Sequence, residues 1–372
     1  MDLKHICIDG RMLNASGIGT YIKNLLAHLE GKFKITILGR GSELFTIINS
    51  RSVEVIEFNC NIYSLKEQLL FPFLIPPCDI FWSPHYNVPI LPIRAKRRMV
   101  TIHDVFHLAF FDQLSMFQKL YSRFVLSQAA NKSDSIITVS NFSKSEIGKY
   151  LNVKEDKIAV IHNGVDYKKF SCLSDSGKVE ISKKYNLPAR YLLFLGNVKP
   201  HKNLQTLINA FAYLKGQYSN VDDLHLVIVG KKKGFITGVN NIDDIINSKG
   251  LQHQVRFIES ALDNELPYLF HLSQMLVFPS LYEGFGLPPL EAMAAGCPVI
   301  ASHIPSVIEV CNDTALYFDP NDYICIAEKI HTLLENTSLR DELIEKGYQN
   351  VLKFSWKNSA MRHIELLQSL SA

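Results

Sequence analysis

No stretch of the 372 residues approaches the run of about 18 apolar residues that a membrane-spanning helix needs. The most apolar patch, Leu69 to Pro77, is short and broken by Pro72, Pro76 and Pro77. The opening MDLKHICIDGR runs straight into a strand pattern without the order of a signal peptide, so a cytoplasmic protein is expected. The seven cysteines (Cys7, Cys60, Cys78, Cys172, Cys297, Cys311 and Cys325) are scattered, odd in number and form no CxxC pair. That predicts free thiols in a reducing compartment rather than disulfides or zinc. There is no D-x-D triplet to hold a divalent ion on a diphosphate, no repeat of about 20 to 50 residues, and no low-complexity tract. A net charge of +3 lacks the basic excess of a nucleic-acid binder.

A chain this long, 47% hydrophobic and 20% charged, can bury two ordinary cores. Short apolar runs alternate with helical patterns throughout: HICID, KITIL, MVTIH and SIITVS, then YLLFLG, LHLVIVG, QMLVFPS and CPVIAS. This alternation predicts an α/β protein with parallel sheets. The polar stretch Ser171 to Lys184 lacks apolar periodicity and is the expected interdomain connection, placing the boundary near Phe170. Through Phe170 there are 21 Lys and Arg against 15 Asp and Glu, and 18 against 21 afterwards. Arg94, Lys96, Arg97 and Arg98 are the densest basic cluster, suited to an anionic membrane surface or a diphosphate-linked acceptor, or else a solvated face.

The most informative stretch is Phe278 to Ser302, FPSLYEGFGLPPLEAMAAGCPVIAS. Met275 to Phe278 reads as a strand, Tyr282 to Gly286 as the following turn, and Pro288 to Ala295 as a helix with prolines in its first turn, ended by Gly296. Glu283 then lies at the carboxyl end of a strand and Glu291 about one turn inside the helix, able to face one crevice. The backbones of Phe285, Gly286 and Leu287 are the donors for an anion at the helix start, and a diphosphate fits there. The two carboxylates would accept hydroxyls on either side, one from a sugar and one from a ribose. The competing reading is a solvated loop with two incidental glutamates.

Other candidates follow strands too. Gly196 ends one, and Lys202 stands at the next helix entry, within reach of a phosphate or simply exposed. TIHDVFHL sets His103 and Asp104 just past Met99 to Ile102; a histidine there is commonly a core residue, and Asp104 could orient it, accept a hydroxyl or cap a helix. NASGIGTY is read as a glycine loop in which Gly17 and Gly19 let backbone approach a donor's phosphates, or merely make turns.

The Glu283-to-Glu291 spacing resembles the E-x7-E signature of retaining family 4 glycosyltransferases. IDGRMLNASGIGTY and TIHDVFHL are most similar to the subgroup containing bacterial O-antigen mannosyltransferases. The resemblance implies the GT-B fold: two facing Rossmann-like domains with parallel sheets and a cleft between them. Residues 1–170 plus a terminal helix at 355–372 would form the acceptor-side domain, and 171–354 the nucleotide-sugar domain. It implies that Glu283 contacts the donor sugar, Glu291 holds the ribose, His103 is directed at the donor sugar, and Lys202 neutralises the leaving diphosphate. Asn197 and His201 stand where many members carry arginines. The implied activity is retaining transfer of a hexose, most readily mannose from GDP-mannose, to a bacterial surface glycan (O-antigen, lipopolysaccharide or capsule) that is free or lipid-linked. No cofactor and no metal are expected, with the helix dipole and Lys202 in the ion's place. Rival readings are a UDP-sugar donor (glucosyl or N-acetylglucosaminyl) and a non-catalytic nucleotide-sugar scaffold.

Overall fold

The computed structural model describes residues 3–44, 53–110, 116–232 and 242–371. The chain divides into two compact units: residues up to Gly164 together with those from Trp356 onward, and Val165–Ser355. Among the described residues, unit 1 holds seven strands: β1 (His5–Asp9), β2 (Lys34–Gly39), β3 (Val53–Glu57), β4 (Cys78–Ser83), β5 (Ala95–Thr101), β6 (Ser135–Thr138) and β7 (Ile158–Val160). Unit 2 holds β8 (Arg190–Leu195), β9 (Leu224–Val229), β10 (Val255–Ile258), β11 (Met275–Phe278), β12 (Val299–Ser302) and β13 (Ala315–Phe318). All pairings between them are parallel, which is why strands such as β6, β11 and β12 are buried along their whole length rather than alternating.

Strand order fixes where ligands can sit. In unit 1 the order is β3-β2-β1-β4-β5-β6-β7, and in unit 2 β10-β9-β8-β11-β12-β13. Each chain segment lays down its first strands in one direction and then reverses. The reversal leaves a crevice at the carboxyl ends of β1 and β4, and another at those of β8 and β11. Right-handed crossovers place the helices made before and after each reversal on opposite faces of the sheet.

Burial and hydrogen bonding explain why the last helix, Trp356–Leu370, belongs to unit 1. His363, fully buried, accepts from the Tyr21 hydroxyl at 2.6 Å through Nε2 and donates from Nδ1 to the Ser359 carbonyl at 2.7 Å. Desolvation lowers its pKa to about 4, which keeps the ring neutral and suited to that donor-acceptor pattern. Tyr21 also meets Thr101 at 3.1 Å, and Thr101 accepts from the Trp82 indole at 3.0 Å. The chain of bonds ties the terminal helix to β4 and β5.

Two boundaries differ from expectation. The units part at Gly164 rather than Phe170, because Tyr167–Ser171 is a short helix whose Phe170 ring packs on Phe270, 6.1 Å away, in unit 2. The polar stretch 171–184 is no connection: Asp175–Lys184 is a helix capped by Ser174, and its single buried apolar residue, Ile181, is too little for a periodic signal. All seven cysteines are free thiols. No described helix is long and apolar enough to cross a membrane.

Gly230, after β9, has φ +147°, and a Cβ there would stand 2.2 Å from the Gly196 carbonyl oxygen. Gly230→Ala is therefore expected to destabilise the protein by about 1–3 kcal/mol in thermal or denaturant unfolding. Gly216, helical and with nothing within 4 Å of its would-be Cβ, should tolerate or gain from the same change.

Candidate active site

The crevice of unit 2 is assembled by short bonds between loops. After β8, the Gly196 amide donates to the Val229 carbonyl at 2.9 Å, and Asn197 accepts the Lys231 amide on its side-chain oxygen at 3.0 Å. Pro200–Lys202 then makes a single tight turn, ended by Asn203 in the left-handed region (φ 57°). The Asn203 side-chain amide donates to the carbonyls of Pro279 at 3.0 Å and Pro320 at 2.7 Å, and the Leu281 amide donates to the His201 carbonyl at 2.7 Å. These bonds lock the loop after β8 to the loop after β11.

The lock brings Lys202 Nζ to 2.6 Å from Glu283 Oε1 and 5.6 Å from the centre of the Phe278 ring. The side chains are 18% and 13% exposed, so the pair is largely withdrawn from water. Removing either partner would leave a poorly solvated charge, a costlier loss than breaking a surface pair. Lys202 and Glu283, each expected at the site on its own, are in direct contact, which the sequence alone did not indicate.

Beyond Glu283 the chain buries Phe285, edge-on to Phe354 at 5.9 Å, and turns at Gly286, whose φ of +109° favours glycine. Leu287–Ala294 is then a helix with Pro288 and Pro289 at its start, beginning and ending one residue earlier than expected. Leu287 is its first residue, so the positive end of the helix lies beside the Glu283 loop. Glu291 sits one turn in and is half-buried. Desolvation raises its carboxyl pKa to about 7, against the pull of Lys169 and with a small push from Asp263.

Of the candidates in unit 1, His103 follows β5. It donates from Nε2 to the Pro84 carbonyl at 3.1 Å, and its own carbonyl accepts from Ser143 at 3.0 Å. Burial lowers its pKa, only partly offset by that bond and Asp104, so the ring is neutral with Nδ1 bearing the lone pair. Tyr21 meets it edge-to-face at 4.9 Å. Asp104 accepts the Phe106 amide at 3.0 Å, but the cap residue of the helix Phe106–Ala109 is Val105, without a side-chain cap bond. The glycine loop is corrected: Gly17 and Gly19 both lie in the first turns of the helix Ser16–Leu29. A Cβ on Gly19 would stand 2.3 Å from the Leu13 carbonyl oxygen, so this glycine serves close packing, whereas Gly17 is open.

Sequence reasoning missed a buried ionic cluster at the unit 1 crevice. Arg11 lies between the rings of Phe58 and Phe71, 4.5 Å from each centre, and holds Asp9 through Nε at 2.8 Å and Nη2 at 2.7 Å. Its Nη1 is 2.8 Å from Glu67, which also accepts from Asn87. The available signals were Asp-Gly-Arg at a strand end and the capping box from Ser64 to Glu67. The basic cluster is mostly engaged elsewhere: Lys96 pairs with Asp79 at 2.7 Å, Arg97 with Asp134 at 2.9 Å, and Arg98 donates to two backbone carbonyls.

Comparison with known proteins agrees with this architecture. Residues 15–169 match the Glycosyltransferase Family 4 model, and residues 178–350 match Glycosyl transferases group 1. The chain belongs to this family of glycosyltransferases, and its fold class is GT-B, with two Rossmann-like units. It is 29% identical to O-antigen chain mannosyltransferase B of Escherichia coli over 298 residues, 78% of this chain and 74% of that protein. It is 32% identical to O-antigen chain mannosyltransferase RfbU of Salmonella typhimurium over 240 residues, 64% of this chain and 60% of the relative. Anabaena HepE, solved in complex with UDP-glucose, superposes with a TM-score of 0.78 at 17% identity, covering 98% of this chain and 100% of HepE.

The raised Glu291 pKa gives a signed expectation. Its folded-state value, about 7, lies above the ordinary 4.5, so the folded protein binds this proton more tightly than the unfolded chain. The resulting stability is complete below the ordinary value and is lost as pH rises through 7. Melting temperature should fall between pH 5 and pH 8, and Glu291→Gln should blunt that fall; parallel curves for the two proteins would refute the assignment.

Proposed function

We propose that this glycosyltransferase is a retaining mannosyltransferase that uses GDP-mannose and extends a lipid-linked bacterial surface glycan at the cytoplasmic face of the inner membrane. The observation that carries the reading is the Lys202–Glu283 pair at the β8/β11 crevice, beside the start of the Leu287–Ala294 helix. A diphosphate there meets the positive helix end, with the backbone of Phe285, Gly286 and Leu287 as its cradle. Lys202 is placed to turn from Glu283 towards charge growing on the leaving phosphate, and one such preorganised donor is worth about 3 kcal/mol. Glu283, released from Lys202, accepts sugar hydroxyls, and Glu291 accepts from the ribose. The mannosyl assignment draws on the two O-antigen mannosyltransferases, which the chain resembles over part of their length.

In the proposed reaction the bond between the anomeric carbon and the phosphate oxygen breaks on the face where the acceptor oxygen bonds. The departing phosphate takes the acceptor's proton, and the transient sugar cation is held by Glu283. Asn197 and His201 contribute position rather than charge: the Asn197 side chain holds the Lys231 amide, and the His201 carbonyl holds the loop of Glu283. No metal step is included, the motive being the lack of a D-x-D triplet. A UDP-sugar donor is the second reading, favoured by the likeness to HepE.

Transfer assays with GDP-mannose, UDP-glucose and UDP-N-acetylglucosamine should give product with GDP-mannose, unaffected by EDTA; product from a UDP-sugar alone would overturn the donor. By calorimetry, Glu291→Gln should weaken GDP and GDP-mannose alike by about ten- to a hundredfold. Glu283→Gln should leave GDP binding near wild type while transfer collapses. The reverse pattern would exchange the two roles.

A further inference from the structure

We propose that a cluster of tyrosines on unit 1 takes a neutral pyranose of the acceptor by its C–H face, and that Tyr63 is the residue that sets acceptor specificity. The inference rests on the reading of this chain as a glycosyltransferase whose donor sits in unit 2. It adds what the other substrate must look like.

The residues come from three successive connections of the unit 1 sheet. Tyr63 lies in the connection after β3, His85, Tyr86 and Asn87 directly follow β4, and His107 and Tyr121 lie in the connection after β5. Tyr63 is at the centre. Its ring lies 6.2 Å from that of Tyr86 and tilted from it by 28°, and 6.2 Å from that of Tyr121, nearly perpendicular at 84°. Tyr86 in turn packs against His85 at 4.1 Å and meets His107 edge-on at 6.2 Å.

Tyr63 is presented at a conformational cost. Its φ of 68° is in the left-handed region, unfavourable for a bulky side chain, yet the residue is 40% exposed and so is not driven there by burial. Such an outlier persists only where its surroundings impose it, and it is a pointer to function. The Tyr63 amide donates to Glu67 Oε2 at 2.6 Å, and Glu67 is itself held by Arg11 at 2.8 Å and by the Asn87 side-chain amide. The buried ionic cluster therefore braces the turn that carries the ring. A glycine would make the same turn without strain, so the ring is what the turn keeps.

A hydrogen-bond relay ends at the edge of this cluster. The Asn87 amide donates to His85 Nδ1 at 3.3 Å, so the buried, neutral imidazole carries its hydrogen on Nε2. Nε2 donates to the Tyr63 hydroxyl at 3.2 Å, and that hydroxyl donates to the Tyr86 hydroxyl at 3.2 Å. Tyr86, half-buried, is left with its own hydrogen to donate to a ligand oxygen.

Charge and shape select the ligand. Among the described residues joined by these contacts, Arg11 is the only fixed cation, and Asp9 and Glu67 hold it. None is left for a phosphate or a sugar carboxylate. Aromatic faces are the negative side of the ring quadrupole and attract the polarised C–H hydrogens on one side of a pyranose, while its hydroxyls meet a donor at the rim. A nucleotide base would stack on the rings too, but its phosphates would find no cation here. The acceptor is thus read through a neutral sugar already in place, so an earlier glycosyl transfer must supply it.

The test is saturation-transfer difference NMR of the full-length protein with GDP bound. The neutral probes are methyl glycosides of mannose, glucose and N-acetylglucosamine, and methyl glucuronoside is the charged match to the glucoside. At least one neutral probe should bind, with saturation strongest at ring C–H hydrogens, and the glucuronoside at least about tenfold more weakly. Tyr63→Leu and Tyr121→Leu should each weaken the bound probe about tenfold, Tyr63→Phe less than either, and Glu283→Gln should leave it unchanged. Retained GDP affinity and melting temperature would show that the variants fold. Binding of none of the neutral probes, glucuronoside binding as tight as theirs, or undiminished binding by both leucine variants would overturn the proposal. So would loss of the probe in Glu283→Gln, which would put the sugar in unit 2, or mannose transfer to bare farnesyl phosphate. Product from a UDP-sugar would change the donor and leave these binding results as stated, so the two readings fail separately.

Discussion

Parallel strands joined by right-handed crossovers can reverse their order of addition at one place in each sheet, and that reversal governs where this protein keeps its charges. In unit 2 the reversal separates β8 from β11, and the loops that follow these strands deliver Lys202 and Glu283 to each other. In unit 1 it separates β1 from β4: Asp9 ends β1, Arg11 follows it, and Asn87 follows β4, with Glu67 joining them. Two halves with no sequence repeat between them thus bury an ion pair at the same topological position. Central parallel strands such as β11 and β12 are buried on both faces, so the open carboxyl edge is where a charged group is most readily held without disrupting the core.

Burial then makes different demands on the ionisable groups. Lys202 and Glu283 lie opposite one another in direct contact, as do Arg11 and its two carboxylates. Groups without a close counter-ion are pushed towards neutrality instead: the pKa of Glu291 rises to about 7, that of His363 falls to about 4, and that of His103 falls too. A carboxyl tuned to neutral pH and a neutral imidazole are suited to exchanging hydrogen bonds with hydroxyls rather than to holding permanent salt bridges.

What was legible in the sequence was local. The alternation of apolar runs with helical patterns announced two parallel α/β units, and Phe278 to Ser302 announced strand, turn and helix to within a residue, because prolines and glycines punctuate it. What was not legible depended on partners distant in the chain. Arg11 looked unremarkable until Glu67 and two phenylalanines closed around it, and Gly19 looked like a phosphate loop until Leu13 lay against it. Leu69 to Pro77 read only as a short apolar patch; which of its residues face outward is a property of the packed helix, not of its composition. The boundary at Gly164 escaped notice for the same reason, since Phe170 is committed to unit 2 by a contact with Phe270.

The central claim is that the Lys202–Glu283 crevice supports front-face transfer, in which the leaving phosphate and the incoming hydroxyl share one side of the sugar. The most direct measurement is the anomeric configuration of the product formed from GDP-mannose labelled with carbon-13 at C1, read from the one-bond carbon–hydrogen coupling. The account predicts the same anomer as in the donor. An inverted anomer would contradict it, because inversion requires a base on the opposite face and would leave Lys202 and Glu283 without the roles given to them here.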